Sequence, residues 1–398
     1  MNKRRVYMSN IAKSTSFKTE LSRFLIIIHS IWFFMNLIFD LYITYVYKFD
    51  LLTYAPVADF LMNYYGYLLF EAIVIAIIVT VFIILRKRMN VIATPNESQL
   101  IDTIGFSLIV AYVFSVMFQH NLLISISACF TAFLLNSYYN IKSIRLVSAI
   151  GAGITVILAL LHDFINYYLN IIEAWVPLVI IIATGIFLKS DKNDFSKQID
   201  HEKSFILKFG SFFIFTAAVL LAIQIVFSGY IFISYKLVYT AEIIMTPLLN
   251  LSYANWSWRI LSFAVVVILF AIFKNSIIKS TPADKMLFNS TGFILLLTSA
   301  VQLLSEKGFS NNPQIVFAVL ACVFVTAKYI KSRVSIIILS VYLPLVLLSV
   351  FIPMFAWNIY FDYARIIRIF EFIISLLPFV AMIICGAQTR KYSKLITA

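Results

Sequence analysis

The chain has 398 residues, of which 62% are hydrophobic and only 12% charged, with a formal net charge of +13. Soluble domains carry about 25% charged residues, so this composition excludes an ordinary water-soluble globular protein. A charge of +13 on a soluble chain would suggest nucleic acid; here topology and anionic lipid headgroups account for it, and no nucleic-acid partner is expected.

Twelve apolar segments follow one another, near 24–47, 66–85, 101–118, 122–139, 144–165, 171–188, 206–234, 256–273, 287–304, 313–327, 334–353 and 364–386. Most can cross a hydrocarbon layer of about 30 Å, which takes ~20 residues at ~1.5 Å each. The fold class is therefore all-α, a polytopic membrane protein of about twelve transmembrane helices. The amino end, with Lys3, Arg4, Arg5, Lys13, Lys18 and Arg23, leads straight into the first segment without a small-residue cleavage site. No cleavable signal peptide is expected; the first helix itself serves as the insertion signal.

Basic residues return in every second gap. These gaps hold Arg86, Lys87 and Arg88, then Lys142 and Arg145, then Lys189, Lys192, Lys197, Lys203 and Lys208. Next come Lys274, Lys279 and Lys285, then Lys328, Lys331 and Arg333, and the carboxyl end adds Arg390, Lys391 and Lys394. In all, 25 of the 31 basic residues fall on one side, leaving Lys48, Lys236, Arg259, Lys307, Arg365 and Arg368 for the other. Basic loops stay in the cytoplasm, so both termini are expected inside a multi-pass cell-membrane protein. The frequent Ile, Asn, Lys and Phe suggest an AT-rich bacterial genome.

The longest polar gap, Lys189 to Lys203, lies almost at the midpoint, with six segments before it and six after. It reads as a boundary between an amino-terminal half (1–188), a cytoplasmic linker (189–205) and a carboxyl-terminal half (206–398). Shifting the chain by 188 lays Phe39, Tyr42, Ile43, Tyr47 and Lys48 on Phe227, Tyr230, Ile231, Tyr235 and Lys236. The same offset pairs Asn36 with Gln224, Glu71 with Arg259, and Arg86 with Lys274. A constant offset across two helices and a loop points to duplication. Since six is even, both halves enter the membrane from the same side, as parallel repeats.

Six plus six helices, a central cytoplasmic linker and both ends inside resemble the major facilitator superfamily of secondary transporters. In sequence the resemblance is localised to Leu85-Arg86-Lys87-Arg88-Met89-Asn90 and Phe273-Lys274-Asn275-Ser276-Ile277-Ile278-Lys279-Ser280. The acidic residue that the family carries before its basic cluster is missing, and the chain has only ten glycines. Gly151 and Gly153 on the fifth segment are similar to the Gly-rich stripe of related exporters. The resemblance implies two halves rocking around a central cavity, with proton-coupled export of a small solute or peptide by a monomer. It also implies that the fifth helix lies beside the eighth.

An ionisable group within a span faces a cavity or a partner, because exposure to lipid costs several kcal/mol. Asp40 is the proton-coupling candidate, and Asn36, four residues earlier, shares its helical face. His29 lies about one and a half turns from the cytoplasmic end of the first segment and joins Asn36 and Gln224 as a substrate-cavity candidate. Asp163, Arg259 and Glu71 form an expected outer gate, with Asp163 and Arg259 meeting if helices five and eight adjoin. Arg365 and Arg368 can contact an anion, or be neutralised by Asp362 and Glu371 on neighbouring helix positions. Tyr and Trp at outer helix ends, Trp175 and Trp258 among them, read as an interfacial belt.

Four scattered histidines and three unpaired-looking cysteines suggest no metal site and no cofactor. No Walker A lysine loop is present, which excludes ATP-driven transport by this chain alone. Rival readings are a membrane polymerase, transferase or flippase for lipid-linked saccharides, and a non-transporting sensor or immunity protein.

Overall fold

The computed structural model describes residues 2–48, 64–118, 122–161, 168–190, 203–238, 251–277, 280–304, 313–330, 336–345 and 376–390, and every regular element among them is an α-helix. In chain order these are α1 Asn2–Lys48, α2 Tyr64–Ile92, α3 Pro95–Phe118, α4 Leu122–Tyr139, α5 Lys142–Leu161 and α6 Tyr168–Ser190. Then follow α7 Lys203–Val238, α8 Leu251–Ser276, α9 Pro282–Leu304 and α10 Pro313–Tyr329, with the shorter α11 Ile336–Leu345 and α12 Leu376–Arg390. Eight of them are long and apolar enough to cross a membrane by length and composition, as in a multi-pass membrane protein. In hydrocarbon a helix satisfies every backbone polar group within itself, so β-branched Ile and Val fill these helices despite modest helix propensity in water.

The chain divides into two compact units, residues 1–197 and 198–398, each with six of the described helices. In the first unit α1 packs on α2 and α6, α2 on α3, α3 on α4, and α4 on both α5 and α6. In the second, α7 packs on α8, α8 on α9, and α9 on α10.

Two helix boundaries differ from the hydropathy segments, each for an identifiable reason. Helix α1 is already buried ahead of residue 24, at Phe17 and Leu21 as well as at Phe24. Lys18 is buried beside them, its ammonium 4.8 Å from the centre of the Tyr139 ring. Helix α3 begins at Pro95, six residues before the apolar segment. Thr94 caps it: Thr94 N donates to Glu97 Oε2 at 2.8 Å, and Glu97 N donates to Thr94 Oγ1 at 3.3 Å. That is a capping box with proline in the first helical position, where its missing N–H costs nothing. The α4–α5 turn closes at Asn140, whose φ of 58° is left-handed. Asparagine tolerates that conformation, and Arg145 Nη2 holds its Oδ1 at 3.0 Å.

Three local arrangements recur between the units. Thr281-Pro282-Ala283-Asp284 opens α9 as Thr94-Pro95-Asn96-Glu97 opens α3, and Asp284 N donates to Thr281 Oγ1 at 3.2 Å. Gly105 on α3 lies under the Phe82 ring of α2, and Gly292 on α9 lies under the Phe270 ring of α8. Ser22 Oγ of α1 donates to the Gly185 carbonyl of α6 at 2.7 Å, while Gly210 of α7 meets Gly386 of α12 backbone to backbone. Burial follows the same plan: 17% of the apolar window is buried in both α2 and α8, against 72% in α3 and 67% in α9.

The Gly210–Gly386 crossing sets a steric test. A Cβ on either glycine would come 2.6 Å from the other's carbonyl oxygen, an approach that only backbone movement can relieve. Gly386→Val is expected to cost about 1–3 kcal/mol, read as a fall of several degrees in the melting temperature of detergent-purified protein. Gly153→Ala is the control and should be neutral, since nothing lies within 4 Å of the added carbon. Equal effects of the two would reject this crossing.

Candidate functional site

Among the described residues a polar and aromatic cluster lies between α1 and α3. His29, fully buried, shares a hydrogen bond of 2.6 Å between its Nδ1 and the Tyr112 hydroxyl, whose direction follows the imidazole tautomer. Trp32, one turn on from His29, stacks on Tyr112 with ring centroids 4.7 Å apart. The other ring nitrogen, Nε2, has no hydrogen-bond partner among the described residues. A buried polar atom left unsatisfied costs about 1–3 kcal/mol, so His29 retains hydrogen-bonding capacity inside the bundle. Tyr112 escapes sequence reasoning because it is one aromatic in an apolar run, 83 residues from its partner.

The other expected site residues are distributed as follows. Asn36 is half-buried on α1 and spends an amide hydrogen on the Trp32 carbonyl of its own helix at 3.0 Å. Asp40 continues α1, and its side chain lies outside the described residues, as do Asp163, Arg365 and Arg368. Glu71 and Arg259 are both buried, on α2 of the first unit and α8 of the second, and both are engaged in interactions. Gln224 is buried on α7, with an Oε1 that finds no hydrogen-bond partner among the described residues. Gly151 and Gly153 do not act together: Gly151 lies against Ile180 and Cys129 within the first unit, while Gly153 faces open space. Trp258 is buried, whereas Trp175 is exposed and meets Phe33 edge-on.

The α2–α3 corner holds an ion pair that the loop sequence alone does not reveal. Arg86 Nε donates to Asp102 Oδ1 at 2.6 Å and Nη2 to Oδ2 at 3.0 Å, a bidentate pair. The acid comes from inside α3 rather than from ahead of the basic cluster. The cap residue Glu97 also accepts a hydrogen bond from Tyr139 at 3.2 Å, and the Tyr139 ring carries Lys18. In the first unit, acids and aromatics at the helix ends thus compensate both Arg86 and Lys18. Among the described residues no group of three or more His, Cys, Asp or Glu side chains is placed to hold a metal ion.

No known family model, curated protein or solved structure matches the chain.

The His29–Tyr112 bond is open to a double-mutant cycle. Tyr112→Phe alone should cost about 1–3 kcal/mol by stranding the imidazole. With His29→Leu added, the combined loss should be smaller than the sum of the two single losses. Strictly additive losses in thermal or denaturant unfolding would show that the two groups do not interact.

Proposed function

We propose that the chain is a secondary-active transporter of alternating-access type, a diverged relative of the major facilitator superfamily, in which two six-helix units move against each other. The recurrence of the same capped corner and the same Phe-over-Gly contact, with a close crossing of first and sixth helices in each unit, carries this reading. Many secondary transporters are built from two repeats that rock against each other, and two units of similar construction fit that plan. Capacity for a polar solute is present in each unit: His29 Nε2 in the first and Gln224 Oε1 in the second. Asp40 on α1 is the proposed proton carrier, and the proposed cargo is a small solute or peptide leaving the cell as protons enter.

The test is flux in proteoliposomes carrying the purified full-length chain, with an imposed pH gradient and a panel of small polar solutes. At least one solute should move in a gradient-dependent way, and Asp40→Asn should abolish the dependence on the gradient. Solute movement no faster than in protein-free vesicles across the panel would reject transport. Gradient-driven movement that survives Asp40→Asn would reject Asp40 alone.

A further inference from the structure

The second unit's α8–α9 corner is built like the α2–α3 corner of the first, but its charges do not balance in the same way. Aligning the chain on the two Thr-Pro caps, 187 residues apart, places Asn289 where the first unit has Asp102, and Lys285 where it has Ser98. Aligning it on the preceding helices, 188 apart, places Lys274 where Arg86 stands. The cation is kept, the carboxylate has become a neutral amide, and a second ammonium has been added.

At this place the structure has a cavity of about 250 Å³ lined by Lys274, Ile277, Lys285, Phe288 and Asn289. A water occupies about 30 Å³ of liquid, so the space suits a polyatomic group. Among the described lining residues the polar groups are two ammoniums and an amide, with no carboxylate. Ile277 and Phe288 are buried and supply an apolar wall, and Phe288 stacks on Phe270 with ring centroids 5.1 Å apart. The Lys274 ammonium lies 5.7 Å from the centre of that same Phe270 ring. The neighbouring charges do not fill the gap. Lys208 donates to the Ser276 carbonyl at 2.7 Å, and Asp284 is buried in the first turn of α9 without lining the cavity.

We propose that this corner binds a phosphate group, held between Lys274 and Lys285 with the Asn289 amide as a third donor, in the role that the Asp102 carboxylate plays in the first unit. Its oxygens accept charge-assisted hydrogen bonds from both ammoniums, the strongest class of such contacts. Basic pockets at helix ends bind phosphate-bearing lipid headgroups, and the apolar wall fits an esterified phosphate. A free phosphate ion offers the same oxygens. The proposal is independent of transport, because it concerns one unit and no moving part.

The experiment follows the melting temperature of the full-length protein in neutral detergent during titration with phosphatidylglycerol, and separately with inorganic phosphate against chloride at matched ionic strength. A saturable rise with phosphatidylglycerol alone identifies a lipid headgroup; a rise with inorganic phosphate as well identifies the free ion as sufficient. Lys274→Gln with Lys285→Gln should weaken the apparent affinity at least about tenfold, since two charged donors are lost. Both lysines are exposed, so this variant should fold. Asn289→Asp restores the arrangement of the first unit, and it should raise the melting temperature without ligand while abolishing the rise with it. No saturable rise in either titration overturns the proposal, as does a rise undiminished in both variants.

Discussion

A polar group inside an apolar bundle must find its partner within the bundle, and that requirement organises this molecule more than hydrophobic burial does. Lipid is as apolar as the side chains facing it, so sequestering another Ile gains little, and α2 and α8 leave most of their apolar surface uncovered. What must be arranged are the exceptions. Thr94 and Glu97 satisfy each other at the start of α3, Arg86 reaches Asp102, and Ser107 shares a hydrogen bond of 2.8 Å with Ser127 between α3 and α4. Thr155, Thr298 and Thr326 return their hydroxyls to carbonyls one turn back. The pairs that cross between helices, Arg86–Asp102 and Ser107–Ser127, fix a rotation or a height that apolar packing leaves undetermined.

The same requirement explains which features hydropathy can reveal. The existence and type of the helices are legible because hydrocarbon permits a single spanning element here, and each of the twelve apolar segments overlaps a described helix. Boundaries are less legible where a charge is folded in. Lys18 belongs, by charge, to the basic amino end ahead of the first apolar segment, yet it lies inside α1 with its stem buried and its ammonium resting on Tyr139, so burial begins before that segment. Helix α3 begins in the polar run Pro95–Ser98, where the signal is capping chemistry and not apolarity.

Site residues are legible one at a time and not as pairs. His29 is conspicuous as an imidazole in an apolar run, but Tyr112 has no distinguishing context, and periodicity is silent when a helix is apolar all round. Asp102 stands at the start of an apolar segment with nothing to mark its partner, because its bond to Arg86 crosses a loop and two turns of helix. The Thr-Pro-x-acid motif was present twice, but its offset of 187 differs from the 188 that aligns the preceding helices. A one-residue difference in the loop between them is enough to hide the match from an ungapped comparison.

The two units share the Phe-over-Gly contact and the Thr cap but differ at the charged corner beside them, and physical chemistry gives a reason for that order. A ring over a glycine survives many neighbouring substitutions, because packing asks mainly for volume. A charge pair is less forgiving: losing one member leaves the other to be hydrated, re-paired or moved. The first unit solves its corner internally, with Asp102 facing Arg86. In the second unit Lys274 stands at the matching place with Asn289 facing it, and Lys285 is added without a compensating acid among the cavity's described lining. Hydration can answer for one exposed ammonium. Two of them around a cavity with an apolar wall form a different object, because the wall excludes part of the water that would otherwise screen them and strengthens their attraction for any anion that enters. Under the duplication proposed above, the unit that gave up its own carboxylate is the one whose corner is open to an outside one.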